Sequence, residues 1–177
     1  MVVVKVLASD FFSLFDLPRT FEVDQSRLET RYRDIQSEVH PDRFANAGDA
    51  QRRLSMQWAT RVNEAYQTLR KPLSRARYLL EIAGVDLAAE SNTAMPAAFL
   101  MEQMTWRESL GDARRSGNLA ELEALEETIE NAISQSFDAF SATYNQGDLS
   151  AAAEKVRCLM FLDKLMLEIE DALADLD

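Results

Sequence analysis

The sequence predicts an all-α protein. Of its 177 residues only five are Gly and four are Pro, so few positions interrupt a helix. Along most of the chain the apolar residues recur at spacings of three and four, which is the repeat of one face of a helix. Since 47% of the residues are hydrophobic, the chain can bury a core. We expect a helical hairpin in the first half and a three-helix bundle in the second.

The first half begins with a short helix and continues into a longer one. A helix over residues 10–15 is expected to end before Pro18, because the residue that precedes a proline is pushed out of helical geometry. Asp24 can cap the longer helix, which runs to about Val39. Pro41 then ends it, since proline cannot continue a helical hydrogen-bond ladder.

The second arm of the hairpin follows a loop over residues 44–48. A long helix is predicted over residues 49–70, antiparallel to the first, and Pro72 suits the first turn of a further helix that stops at Gly84. The apolar positions expected to face the core are Leu28, Tyr32, Ile35, Val39, Leu54, Trp58, Val62, Ala65, Tyr66, Leu69, Ala76, Leu79, Leu80 and Ile82.

Three helices are predicted in the second half. Pro96 starts the first, which ends at Gly117; Asn118 caps the second, which ends near Gly147; and Asp148 caps the third. The second carries a narrow apolar seam, which is typical of a three-helix bundle. The seam consists of Leu122, Leu125, Ile129, Ile133, Phe137, Phe140 and Tyr144.

The distribution of charge also differs between the two halves of the chain. Residues 1–78 contain 13 Lys and Arg against 10 Asp and Glu, whereas residues 79–177 contain 6 against 20. The front is therefore near +3 and the back near −14. Residues 85–95 have no sustained periodicity and coincide with this change, so we predict one domain over residues 1–84, a linker over 85–95 and a second domain over 96–177.

Composition excludes several classes of function. A net charge of −11 disfavours binding to DNA or RNA, and no stretch approaches the roughly 20 apolar residues of a membrane span. One Cys, Cys158, and one His are too few for a zinc or iron–sulfur site, so no metal and no cofactor are expected. The apolar stretch over residues 2–7 is shorter than the apolar core of a signal peptide. A reducing, cytoplasmic setting is the expected location.

The tripeptide His40-Pro41-Asp42 lies between the two predicted arms of the hairpin. A histidine beside a carboxylate suggests acid–base chemistry, but the sequence offers no second His, phosphate loop or nucleophile to complete a catalytic site. A plain alternative is a turn in which Pro41 breaks the helix and Asp42 caps the next segment. We therefore expect no enzymatic activity.

The surroundings of the tripeptide resemble a J domain over residues 10 to 80. The resemblance is carried by His40-Pro41-Asp42-Arg43-Phe44, Val62-Asn63-Glu64-Ala65-Tyr66, Leu69, Pro72, Arg75-Ala76 and Tyr78-Leu79-Leu80. It implies that the tripeptide contacts a DnaK-type chaperone and accelerates its ATP hydrolysis. Proline would present His40 and Asp42 with less ordering cost. Basic side chains would steer the domain toward an acidic ATPase surface, unless they are merely a solvated face. These are Arg27, Arg31, Arg33 and Arg43.

The bundle carries more apolar residues than its core needs. On its first helix, Leu100, Met101 and Met104 lie about 100° to 200° around from the stripe expected to face the bundle. That core stripe is Phe99, Gln103, Trp106, Leu110 and Ala113. On the last helix Met160 and Phe161 point away from the core stripe of Leu159, Leu162, Met166, Ile169 and Leu173. These surplus residues suggest an external protein-binding patch, although the first domain could pack on them instead.

Over nearly its full length the chain resembles the HscB family of iron–sulfur co-chaperones. The motifs are Phe99-Leu100-Met101-Glu102-Gln103-Met104, Arg107-Glu108 and Phe161-Leu162-Asp163-Lys164-Leu165. The resemblance implies that the bundle delivers the cluster scaffold IscU to the ATPase HscA. The implied scaffold-binding residues are Leu100, Met101, Met104, Arg107, Glu108 and Phe161. Thr105 stands where the family often has an acidic residue, which puts a charged contact there in doubt. A different client, or a dimerisation role for the bundle, is the alternative.

Overall fold

The computed structural model describes residues 10–44, 48–87 and 95–176, although not the side chains of Pro41 and Asp42. Within those ranges all of the regular structure is helical, which confirms the predicted fold class. The chain divides into two compact units, Met1–Ile82 and Ala83–Asp177. Most of the predicted linker, residues 88–94, lies outside the described residues.

The helices of the first unit follow the predicted pattern. They are α1 (Phe11–Leu14), α2 (Gln25–Val39), α3 (Asp49–Arg70) and α4 (Pro72–Ile82). Asp10 caps α1 by accepting hydrogen bonds from the backbone N–H groups of Phe12 and Ser13, and the Asp24 side chain accepts from the N–H of Arg27. A 3₁₀ turn over Pro41–Phe44, which the sequence did not predict, precedes residues 45–47, which are not described.

The core of the first unit is formed by the faces of its helices that point inward. Phe11 of α1 stacks on Tyr78 of α4 with 4.3 Å between ring centroids, and its backbone N–H donates to the Tyr78 hydroxyl. Buried Arg75 donates to the carbonyl of Leu69 at 2.6 Å, which satisfies a carbonyl at the end of α3. The fully buried side chains of this unit include Phe12, Phe15, Leu28, Val62, Ala65, Leu69, Ala76, Leu79 and Leu80.

The second unit contains the three predicted helices, α5 (Ala97–Ser116), α6 (Leu119–Asn145) and α7 (Leu149–Ala174). Gly117 adopts a left-handed conformation (φ 62°) at the end of α5, which glycine tolerates without a steric cost. The Asn118 side chain then accepts from the N–H of Glu121, and Asp148 accepts from the N–H of Ala151. Tight turns therefore connect the three helices, and α6 and α7 pack along their length.

The core of the bundle differs from the predicted stripes on both α6 and α7. Leu165 and Ala172, which were not predicted, are buried in α7. Ile133, Phe137 and Tyr144, predicted in the seam of α6, are only half-buried. The core cluster consists of Leu110, Ala113, Leu122, Leu125, Ile129, Leu162, Leu165, Ile169 and Ala172. No described helix combines the length and the apolar composition of a membrane-spanning segment.

Candidate functional site

His40 lies at the point where the first arm of the hairpin ends. It is the C-terminal cap residue of α2, with an extended backbone (φ −58°, ψ 130°), and its side chain is exposed. Its carbonyl accepts a hydrogen bond from the backbone N–H of Arg43 at 3.1 Å, which closes the 3₁₀ turn. The roles predicted for the side chains of Pro41 and Asp42 concern atoms outside the described part of the structure and stay predictions.

Aromatic contacts hold the two arms of the hairpin together beneath this turn. Tyr32 of α2 stacks on Tyr66 of α3 with ring centroids 4.0 Å apart, and its hydroxyl donates to Asn63 Oδ1 at 2.8 Å. At the turn itself Phe44 meets buried Trp58 edge to face at 6.2 Å. Because the chain is anchored on α3 at both levels, His40 is presented from a fixed base.

The basic residues of the hairpin are not equivalent. Arg27 donates to the backbone carbonyl of Asp16 at 2.7 Å, and both Arg27 and Arg31 form ion pairs with the Asp16 carboxylate at 3.5 and 3.4 Å. Arg33 pairs with Glu29 one turn earlier on α2. Each of these cations already has an acidic neighbour, so their positive field is weaker than the sequence suggests.

Arg43 is exposed and donates to the carbonyl of Ser37 at 3.3 Å. This bond places its guanidinium against the last turn of α2. Arg43 directly follows the tripeptide in sequence. Arg33 lies on a different side of α2 from Arg27 and Arg31, because successive residues of a helix are about 100° apart around its axis.

An apolar surface is exposed on α5 of the second unit. Met101 and Met104 each expose 71% of their surface, and Leu100 exposes 40%. The opposite stripe of the same helix is turned inward, with Leu110 and Ala113 buried and Phe99 and Trp106 packed against the core. The structure thus separates the two stripes of α5 as predicted.

Phe161 of α7 lies between the core and this surface. Its ring meets Phe99 edge to face at 5.7 Å, and the Arg107 guanidinium lies 5.2 Å from its centroid, a cation–π contact. The expectation that Phe161 points away from the core needs correction, because its side chain is half-buried and packs against the core cluster. Met160, its neighbour, is exposed as predicted.

Glu168 is a residue of this surface that the sequence did not reveal. Its carboxylate accepts from Arg107 at 3.4 Å, across 61 residues of sequence. Arg107 is consequently held from two directions, by a carboxylate on one side and an aromatic face on the other. No helical spacing connects α5 with α7, so no sequence pattern could have identified this pair.

Glu108 completes the predicted set on α5, and it is exposed, as is Thr105, which stands where the family often has an acidic residue. The Thr105 hydroxyl donates to the carbonyl of Met101 at 3.3 Å, within its own helix. Because a hydroxyl is uncharged, Thr105 cannot make the charged contact that an acidic residue would make at this position. Cys158 is buried, and burial raises the pKa of its thiol. In the described ranges no group of three or more potential metal ligands is clustered.

Comparison with known proteins assigns the family. The co-chaperone protein HscB homolog of Aromatoleum aromaticum is 54% identical over 172 residues, which are 97% of this chain and 97% of the relative. The chain belongs to the HscB co-chaperone family. A sequence profile described as the HSCB C-terminal oligomerisation domain matches residues 95–170, which contain α5, α6 and most of α7.

Solved structures of HscB proteins have the same fold. Chaperone HscB from Vibrio cholerae superimposes with a TM-score of 0.84 at 35% identity, covering 96% of this chain and 100% of that structure. Human co-chaperone protein HscB gives a TM-score of 0.84 at 30% identity, covering 93% of this chain and 82% of that structure. This HscB-family chain therefore has the J-domain and helical-bundle fold over nearly its whole length.

Proposed function

We propose that this protein is an adaptor of iron–sulfur cluster biogenesis. Its first unit stimulates a DnaK-type ATPase, HscA, and its second unit delivers the scaffold protein IscU to that ATPase. The observation that carries the proposal is the exposure of Leu100, Met101 and Met104 on one face of α5 in an HscB-family chain. Contiguous apolar residues left in solvent mark a surface that binds another protein.

The ATPase-facing end is the turn that follows α2. Exposed His40, with Pro41 and Asp42, would contact HscA, and the neighbouring Arg43 would add an electrostatic contact. Arg27, Arg31 and Arg33 would contribute to steering at long range, although their acidic neighbours reduce their effect. The hairpin supports this role because the stacking of Tyr32 on Tyr66 and the contact of Phe44 with Trp58 hold the described parts of α2 and the turn on α3.

The scaffold-facing end combines flexible and fixed side chains. Leu100, Met101 and Met104 can adapt their rotamers to a partner, whereas Phe161 and Arg107 are held by Phe99 and Glu168. Glu108 adds an exposed acidic group next to them. Such a surface buries apolar area on docking and retains one oriented cation for specificity.

The mechanism that follows is a coupled delivery. The bundle captures IscU, the J domain docks on HscA, and the resulting ATP hydrolysis locks the scaffold onto HscA. The protein performs no chemistry itself and needs no metal or cofactor for this role, and its action would take place in the cytoplasm, without membrane or nucleic acid.

Steady-state ATPase assays test both ends together. Purified HscA should hydrolyse ATP faster with this protein and IscU together than the separate effects of the two predict, because the adaptor couples their binding. If turnover with both partners rises no more than with either one alone, the proposed function is wrong.

A second candidate function follows from the description of the matched domain as an oligomerisation domain. In this case the exposed face of α5 would bind a second copy of the chain, and the client would be a different protein. Analytical ultracentrifugation over a wide concentration range distinguishes the two. A dimer that Met104→Glu dissociates would favour self-association, and a monomer at all concentrations would favour the scaffold.

A further inference from the structure

Methionine is concentrated on the proposed scaffold surface. Four methionines in the described ranges are exposed: Met101 and Met104 by 71%, Met56 by 53% and Met160 by 40%. Met101 and Met104 lie one turn apart on α5, and Met160 is the sequence neighbour of Phe161. Three of these four exposed thioethers thus lie in the second unit, and two of them, Met101 and Met104, lie on the surface assigned to IscU.

The thiol of the chain does not compete with these thioethers for an oxidant. Cys158 is only 4% exposed, and burial raises the pKa of its thiol, which disfavours the reactive thiolate. An oxidant that approaches from solvent therefore reaches the exposed thioethers, Met101 and Met104 among them, before it reaches this buried thiol. Both side chains can be oxidised while the core remains closed.

We propose that Met101 and Met104 form a reversible oxidation switch, in which conversion of both thioethers to sulfoxides by a peroxide weakens the capture of IscU. This inference rests on the proposed function, because it regulates the same surface. In each step the sulfur lone pair attacks one oxygen of hydrogen peroxide, and an S–O bond forms as the O–O bond breaks. The sulfur loses two electrons, and the departing hydroxide takes the proton of the transferred hydroxyl to give water.

The physical effect is local and concerns affinity. Each sulfoxide carries a strongly polar oxygen that must lose its water when the surface docks, which opposes the burial of apolar area. Neither methionine belongs to the core cluster, whose buried members are Leu, Ile and Ala side chains. Oxidation should therefore weaken scaffold binding while the bundle stays folded. Methionine sulfoxide reductases can reverse the change, which makes the site a switch.

The test measures IscU binding by calorimetry before and after treatment of the full chain with hydrogen peroxide. Peptide mapping follows each sulfoxide, and circular dichroism follows the helices. The compared quantity is the ratio of the Kd after treatment to the Kd before it. We expect a ratio of about ten or more for the wild type, and its return toward one after incubation with the two methionine sulfoxide reductases.

Two variants show which sulfur atoms matter. In Met101→Leu with Met104→Leu the ratio should be close to one, whatever the starting affinity, although Met56 and Met160 still oxidise there. In the matched control Met56→Leu the ratio should match the wild type. A loss in the double variant as large as in the wild type would overturn the assignment to Met101 and Met104.

A partial oxidation of the wild type repeats the test without any substitution. The treated chain is passed over immobilised IscU, and bound and unbound fractions are mapped separately. Chains with both sulfoxides at 101 and 104 should be depleted from the bound fraction; equal amounts in the two fractions would overturn the switch alone. Failure of the untreated chain to bind IscU would instead remove the proposed scaffold role, and the switch with it.

Discussion

The two units expose different kinds of surface at the places where each is proposed to bind a partner. In the first unit the proposed contact is polar and small: exposed His40 and its two neighbours, with Arg43 beside them. In the second it is apolar and broader, with Leu100, Met101 and Met104 exposed on α5. The charge follows the same division, since the first 78 residues are near +3 and the rest near −14.

This difference indicates that the two ends depend on different physical terms. A small polar contact depends on geometry, so the hairpin fixes it through Tyr32, Tyr66 and the contact between Phe44 and Trp58. An apolar contact depends on buried area, and flexible methionines can supply that area without a fixed shape. We therefore expect single substitutions to abolish the first function, whereas the second should decline in steps.

The largest effect is expected at the polar end. His40→Gln should remove the stimulation of HscA turnover entirely, because the imidazole cannot be replaced within so small a contact, while IscU affinity remains as in the wild type. ATPase assays and calorimetry measure the two quantities, and circular dichroism checks the fold. Intrinsic ATPase turnover by the purified chain, lost in His40→Gln, would instead support the enzyme hypothesis.

The apolar end should show the next largest effect. Leu100→Ala combined with Phe161→Ala should weaken IscU binding by about 2 kcal/mol or more, roughly thirtyfold in Kd. The reason is that alanine cannot bury the apolar area that the two wild-type side chains would bury on docking. Stimulation of HscA by the J domain in the absence of IscU should stay at the wild-type level. Unchanged IscU affinity by calorimetry would show that the surface is elsewhere.

Leu119→Ala is the matched control for this pair. Leu119 is as exposed as Leu100, at 41% against 40%, but it starts α6, near the opposite end of α5. Since α5 ends at Ser116, the part of it that follows Leu100 extends for about 24 Å toward Leu119. An equal loss in Leu119→Ala would mean that exposed leucines in general, and not this face of α5, bind the scaffold.

The boundaries of the helices could be predicted because their causes are local in sequence. Asp24, Asn118 and Asp148 each accept a hydrogen bond from a backbone N–H three residues later, a relation that the sequence itself displays. Pro41 and Gly117 stop helices for equally local reasons. The two stripes of α5 were predictable for the same reason, since helical geometry alone separates them.

What the sequence could not predict depends on contacts between helices. Arg27 and Arg31 were expected to face solvent, and they do, but no pattern indicated that Asp16, more than ten residues away, pairs with both. Phe161 was expected to point outward, yet Phe99 and the bundle core half-bury it. Glu168 was identified as part of the site only by its ion pair with Arg107. Each of these results needs the relative position of two helices, which a single-helix pattern does not contain.

A smaller effect is expected for the stability of the first unit, at Asp10. Burial alone would raise the pKa of this carboxyl, but hydrogen bonds from Ser13 and Arg19 outweigh burial and hold the pKa below its ordinary value. The carboxylate therefore stabilises the fold above the unfolded pKa of about 3.9, and this contribution is lost as pH falls below that value.

Asp10→Ala should accordingly lower the free energy of unfolding by about 1 kcal/mol at neutral pH, as the loss of a helix cap does. The deficit relative to the wild type should shrink toward pH 3. Urea unfolding followed by tryptophan fluorescence measures this deficit. A Trp106→Phe background is used, because Trp58 is then the remaining tryptophan and reports on the first unit alone. A deficit that stays constant with pH would show that the charge of Asp10 contributes nothing.

The smallest expected effect concerns the side chain that orients Arg107. Glu168→Gln should weaken IscU binding by about 0.5 kcal/mol, roughly twofold in Kd, since a partly exposed ion pair contributes little by itself. The loss should vanish when Arg107 is already replaced by Gln, because Glu168 acts only through that guanidinium.

Glu170→Gln makes the same change of charge on an exposed position of α7, on another side of the helix. It controls for the overall charge of the unit and should leave the Kd unchanged. If Glu168→Gln and Glu170→Gln weaken binding equally, the scaffold responds to the net charge of the bundle and not to the orientation of Arg107. In that case the second unit would depend on electrostatics as the first does, and the contrast between the two ends would fail at this position.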